Sequence, residues 1–330
     1  MKIALIVNTR TGDSEDQVEF DPPHTIEQIH KAILHAGHEY VFIEGDVHVL
    51  ENLQKHKPDL VFNRSEGLRG ESRESHIPCI LEMLGIPYVG SGPKTLAVCL
   101  DKSWTKTFVA SHGVRTPVSY VVNSLQDVEK IEPAHFPVIL KPNMEGSSIG
   151  INEDNVVFDR TQMQKKLRAM LTNYEQSILV ESFIAGREFS VGVVVEANGE
   201  ITVLPIVEVD FSQMPASVAN VFGQVAKTTY DDLKHYVCPA KIDPVLQEQL
   251  VEQTKRVCSS LEIKEFARLD FRVDKDNNVW FLEINPLPGL DFDPETNDFS
   301  FYTLMAFTHG YTYDSLVAKL LDIAKKRYNL

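Results

Sequence analysis

Ala267-Arg268-Leu269-Asp270-Phe271 and, further on, Phe281-Leu282-Glu283-Ile284-Asn285-Pro286 decide how this chain is read. Side chains two apart on a strand share a face. Arg268 and Asp270 therefore point one way together, and so do Glu283 and Asn285. Between them lies Asp274-Lys275-Asp276-Asn277-Asn278, a run of turn formers that lets the two strands pair as a hairpin. One face then gathers Arg268, Asp270, Glu283 and Asn285, with apolar residues turned away. Hard oxygen ligands of this kind suit Mg²⁺, which keeps waters and takes phosphate oxygens to complete its shell. The competing interpretation is the solvent side of an edge hairpin. Charges there are usually less clustered and are not followed by Asn-Pro-Leu-Pro-Gly.

Two further stretches bear on phosphate and nucleotide chemistry. Val138-Ile139-Leu140-Lys141-Pro142 leads into Glu145-Gly146-Ser147-Ser148-Ile149-Gly150. A lysine leaving a buried strand beside a Gly/Ser loop can hold phosphates, the ammonium as point charge and the loop N–H groups as directed donors. Taken alone, the loop reads first as a Gly-containing hairpin turn. Ile178-Leu179-Val180-Glu181-Ser182-Phe183-Ile184, then Gly186-Arg187-Glu188-Phe189, offers a strand edge for adenine and a glutamate for ribose hydroxyls. By itself it also reads as a connecting strand with a polar end. GxxxxGK[ST] is absent, which excludes a P-loop enzyme, and no GxGxxG follows a strand.

Bulk properties narrow the class. A chain of 330 residues suits two or three subdomains. Its 43% hydrophobic and 24% charged content is that of a soluble globular protein. A net charge of −15 without a basic stripe disfavours nucleic acid and anionic membranes as partners. The opening MKIALIVNTR lacks a signal peptide's apolar stretch and cleavage site. No apolar run reaches the roughly 18 residues of a membrane span. Cys79, Cys99, Cys238 and Cys258 are widely spaced without a CxxC pair, so a reducing cytoplasm is expected.

Periodicity gives the outline. Strands are expected at 2–7, 40–44 and 58–62, with a helix over 25–36 between the first two, an order that implies a parallel doubly wound sheet. A helix over 74–84 and a strand at 85–89 follow, and Gly90-Ser91-Gly92-Pro93 marks a boundary. One helix is expected over 96–112, then strands at 118–121 and 137–141, a helix over 161–171 and a strand at 178–181. The last third reads as strand 188–195, a poorly patterned 210–240, helix 244–261, strands 266–273 and 279–284, and an amphipathic helix after Tyr313. The class is α/β to α+β in three parts: 1–92, 93–182 and 183–330.

These stretches, in this order, resemble the D-alanine–D-alanine ligase family of the ATP-grasp superfamily along nearly the whole chain. Gly67-Leu68-Arg69-Gly70-Glu71 matches the core of its first signature, Asp101-Lys102 the lysine opening the central domain, Lys141–Gly150 the phosphate-covering loop, and Arg268–Gly289 the C-terminal signature. The resemblance implies ATP and two Mg²⁺ ions, with Mn²⁺ as a substitute, and a homodimer acting on small amino-acid or peptide substrates. Lys102, Lys141 and Lys227 would hold phosphates, with Glu145 and Ser148 in the covering loop. Glu181 and Glu188, with Ser182, Phe183 and Ile184, would meet adenine and ribose. Asp270, Glu283 and Asn285 would hold the metals, Glu283 bridging. Arg268 and the Gly289 N–H would steady a tetrahedral oxyanion, and Ser147 would help close the site.

Three departures bear on substrate. Glu66 stands where the family has a histidine. Thr228 and Thr229, not a tyrosine, follow Lys227. The family's serine and leucine for the second amino acid's carboxylate are replaced after Gly289 by Asp291-Phe292-Asp293-Pro294-Glu295. An acidic rim repels a carboxylate and attracts an amine, which points to a basic or carboxylate-free acceptor unless another segment binds the carboxylate.

Overall fold

The computed structural model describes the whole chain except residues 13, 134, 215–234 and 294–297. Lys227, Thr228, Thr229, Pro294 and Glu295 lie outside the described residues.

β1 (Lys2–Val7), β2 (Glu39–Glu44), β3 (Leu60–Arg64) and β4 (Tyr88–Val89) form a parallel sheet in the order β2-β1-β3-β4. β1 from Ile3 to Val7 and the Leu60–Phe62 part of β3 are apolar and buried on both faces, as parallel strands under helices must be. The helix Pro23–His35 turns Ile29, Ala32 and Ile33 inward. A short helix, Val49–His56, was not foreseen. Only Val49 and Leu53 are buried on it, one turn of periodicity, too little to see in a sequence.

The helix expected over 96–112 is two helices, Pro93–Leu100 and Lys102–Ser111. Asp101 breaks the run: its backbone is extended (φ −84°, ψ 104°) and its carboxylate caps the second helix at the Trp104 N–H. The cap places Lys102 in the first turn. Both helices pack their buried Cys99 and Val109 into the core of the C-terminal sheet.

The central sheet runs β5 (Ser119–Val122), β8 (Ile178–Ser182), β6 (Val138–Pro142), β7 (Val156–Val157), with antiparallel neighbours. The helix Arg160–Asn173 covers it through Met163, Leu167 and Met170. The C-terminal sheet runs β12 (Tyr236–Val237), β11 (Val207–Val209), β9 (Arg187–Val195), β13 (Glu265–Val273), β14 (Val279–Asn285), with β10 (Ile201–Val203) also on β9. The expected hairpin is β13–β14, pairing Arg268 with Asn285 and Asp270 with Glu283. The register then shifts, because Phe271 pairs with Phe281 and Leu282 is the extra residue of a bulge. Two further helices, Phe301–His309 and Tyr313–Tyr328, close the chain. The last shares one core with β1 and the helix Pro23–His35, tying the chain's two ends together.

Candidate active site

A cleft of about 1000 Å³ opens where the three sheets meet. Its floor is the β13–β14 face, with Arg268, Asp270, Glu283 and Asn285 all lining it. Asp270 accepts from the Ser190 hydroxyl at 2.5 Å and from Arg268 at 3.2 and 3.3 Å. Glu283 stands 3.5 Å from the Lys102 ammonium. The Asn285 amide oxygen accepts from the Leu287 N–H at 2.8 Å, which fixes the amide at the head of the Pro-Leu-Pro-Gly turn. Among the described residues no three His, Cys, Asp or Glu side chains converge as a metal cluster. The face offers two carboxylates and one amide.

The bulge positions a second cationic group. Lys106 donates to the Leu282 carbonyl at 2.6 Å, and its ammonium lies 2.8 Å from Glu181. Glu181 also pairs with Lys141 at 3.0 Å, and all three side chains are buried. Burial opposes ionisation of Glu181, but the two ammonium groups outweigh it and hold the carboxyl below its ordinary range. Burial pushes Lys106 down to about 8 against the pull of Glu181, while Lys141, also opposed by burial, is raised by Glu181, Glu283 and Glu188 together. The Glu181 carboxylate is thus turned to two lysines. Phe183 and Ile184 line the cleft beyond it, whereas Ser182 stays in β8, its N–H donating to the Val118 carbonyl. Glu188 reaches the cleft and is held by Arg272 at 2.6 Å, and Arg272 packs over the Phe183 and Phe211 rings. Arg272 and Lys106 were not foreseen. The alternation Arg268, Asp270, Arg272 carried the signal for the first.

The Glu145–Gly150 loop roofs the cleft with Ser147 and Ser148, both in the left-handed region (φ 46° and 60°), a conformation that costs free energy for a side-chain-bearing residue. Its base is tied down. Lys102 donates to the Glu145 carbonyl, Gln176 to the Glu145 carboxylate at 2.5 Å, and Arg73 to the Met144 carbonyl at 2.8 Å. Arg73 also pairs with Glu19 at 2.7 Å. A Cβ on Gly146 would meet the Glu19 carboxylate, the end of a flexible side chain that would have to turn aside. Lys102 and Glu145 thus stand behind the lining and support it.

The far end belongs to the N-terminal sheet. Arg64, at the end of β3, is buried and pairs with Asp21 at 2.8 Å. Glu66 lines the cleft, its carboxyl pushed well up by burial and then by Glu74 and Glu19. Asp291, the first residue of the expected acidic rim, is half-buried and lines the cleft. The Thr25 hydroxyl donates to it at 2.9 Å, and burial followed by Asp21 raises its carboxyl. A serine does face the cleft, further along the chain than the acidic stretch after Gly289. Ser300 caps the helix Phe301–His309 and donates to the Gly289 carbonyl at 2.5 Å, with Gly289 and Phe301 beside it in the lining.

A family model described as the D-ala D-ala ligase C-terminus matches residues 118–322. Protein y4sG of Sinorhizobium fredii, which is uncharacterised, is 33% identical over 305 residues, covering 90% of this chain and 86% of that one. The D-alanine–D-alanine ligase of Aquifex aeolicus is 31% identical over 290 residues, covering 88% and 91%. The crystal structure of the Bacillus anthracis D-alanine–D-alanine ligase complexed with ATP superposes with a TM-score of 0.74 at 21% identity, over 100% of this chain and 99% of that one. By fold and relatives the molecule is an ATP-dependent ligase of the ATP-grasp class. More narrowly, the chain belongs to the D-alanine–D-alanine ligase family.

Proposed function

We propose that the chain joins the carboxylate of one amino acid to the amine of a second through an acyl-phosphate, with D-alanine as the first substrate to test for both. One observation carries this reading: Arg268, Asp270, Glu283 and Asn285 share one cleft face, beneath a Gly/Ser loop and next to Lys141. A carboxylate repels an amine and offers no leaving group. Transfer of the γ-phosphoryl group of ATP supplies one, and that transfer asks mainly for positioning and charge neutralisation. Lys141 and Lys102 would neutralise phosphates, with Lys227 as a third contact. Phe183 and Ile184 would flank adenine, with Ser182 and Glu181 behind them, and Glu188 would accept from ribose.

Asp270, Glu283 and Asn285 fit two Mg²⁺ ions, or Mn²⁺ in their place. The donors are hard oxygens, and their present cation contacts of 3.2 and 3.5 Å are loose enough to exchange. When bound, the ions would neutralise developing phosphate charge. Arg268 and the Gly289 N–H would meet the oxyanion formed as the amine attacks. Ser147 and Ser148 would keep water from the acyl-phosphate. Glu66 would border the donor amino acid.

Ser300 supports an acceptor with a free carboxylate, because its hydroxyl lies in the cleft lining at a helix N-terminus, whose positive dipole end favours an anion. Asp291 in the cleft lining supports, in turn, a basic or carboxylate-free acceptor. A different amino acid or peptide pair remains the alternative. The ATP requirement and the absence of paired cysteines support cytoplasmic work on small molecules, and the family resemblance supports a homodimer. ADP release should appear with D-alanine alone. Release only with D-alanine plus a basic amino acid, an amide or a peptide would transfer the assignment to that pair.

A further inference from the structure

We propose that Arg64 is a positioning residue for the Gly289 N–H, acting from the N-terminal sheet upon the C-terminal signature. The inference rests on the ligase reading. Arg64 ends β3, and its guanidinium is 1% exposed. Two of its nitrogens grip Asp21 (Nη2–Oδ1 2.8 Å, Nε–Oδ2 3.2 Å), and the third, Nη1, donates to the Pro288 carbonyl at 2.7 Å. That carbonyl belongs to the same planar peptide as the Gly289 N–H. In a trans peptide the two bonds point opposite ways. Holding the carbonyl on the N-terminal side therefore aims the N–H away from it. Gly289 lines the cleft, and among the described residues no acceptor meets its N–H. The next peptide is held as well, since Ser300 donates to the Gly289 carbonyl at 2.5 Å. Both peptide planes around the glycine are thus fixed, one from each end of the molecule. A guanidinium suits the task because its fork is rigid and stays charged when buried.

The test compares Arg64→Met and Arg64→Lys with the wild type, with folding checked by urea unfolding. At saturating substrates kcat should fall on the order of 10²-fold in Arg64→Met, as for loss of one oxyanion donor, with KM for ATP nearly unchanged. Affinity for a tetrahedral phosphinate analogue of the dipeptide, measured by calorimetry with ATP present, should fall in the same proportion. Arg64→Lys should recover part of both. An unchanged kcat in folded Arg64→Met, or a loss confined to ATP binding, overturns the proposal. Hydrogen exchange of residues 286–292 reads the positioning without turnover. Faster exchange there in Arg64→Met, at matched global stability, supports it, and unchanged exchange overturns it. A wild type that releases no ADP in an amine-dependent way would overturn the ligase reading instead.

Discussion

At the hairpin end of the cleft, Asp270 and Glu283 meet their cations at 3.2 and 3.5 Å, whereas at the N-terminal end Asp21 and Glu19 meet theirs at 2.8 and 2.7 Å. Charge-assisted bonds settle near 2.7–2.9 Å when geometry allows. The tight pairs at the N-terminal end behave as fixed structure that joins segments distant in the chain. The loose contacts at the hairpin are those that an incoming cation can replace without tearing the fold. The difference separates scaffold from working surface within one cleft.

The largest expected effect tests the working surface. Glu283→Gln keeps shape and removes the charge that faces Lys102, so ATP turnover should be almost lost while the unfolding midpoint hardly moves. A folded variant with normal turnover would sink the assignment of this face to metal and phosphate. Arg268→Ala should cost on the order of 10²–10³ in turnover, as for one oxyanion donor, and leave ATP affinity largely intact. If ATP binding is what falls, Arg268 belongs to the nucleotide and the comparison must be redrawn.

How much of this could be read in advance follows from where each signal resides. The hairpin face was legible because strand spacing alone puts Arg268 with Asp270 and Glu283 with Asn285, and the observed register sets the pairs opposite each other. The parallel sheet was legible because β1 is apolar from Ile3 to Val7 and β3 opens on the apolar run Leu60–Phe62. The break at Asp101 was hidden because the residues on either side keep a helical pattern, and only the cap turns the chain. Lys106 looked like one more lysine on an amphipathic helix. Its burial against Glu181 and Leu282 comes from two other segments. Ser300 was hidden because an acidic stretch separates it from Gly289, and its helix is apolar enough to lack a clear stripe. Arg64 fell beyond the strand expected at 58–62, and its partners Asp21 and Pro288 are remote in sequence.

The smallest expected effect concerns the scaffold end, where Glu66 and Glu74 are buried with too few cations to share. Burial, and then Glu19, carries the Glu74 carboxyl from 4.5 up to about 8, against Arg73 and Lys102, and Glu66 is raised in the same direction. Between these values the folded state holds protons that the unfolded chain has released. This contribution to stability is therefore fully present below about pH 4.5 and is lost as pH rises through about 8. Glu74→Gln cannot ionise, so it should flatten the decline of unfolding free energy between pH 5 and 8, measured by urea titration at several pH values. Glu283→Gln should leave that decline in place. If the two variants flatten it alike, the two ends of the cleft share one electrostatic character, and the division between scaffold and working surface fails.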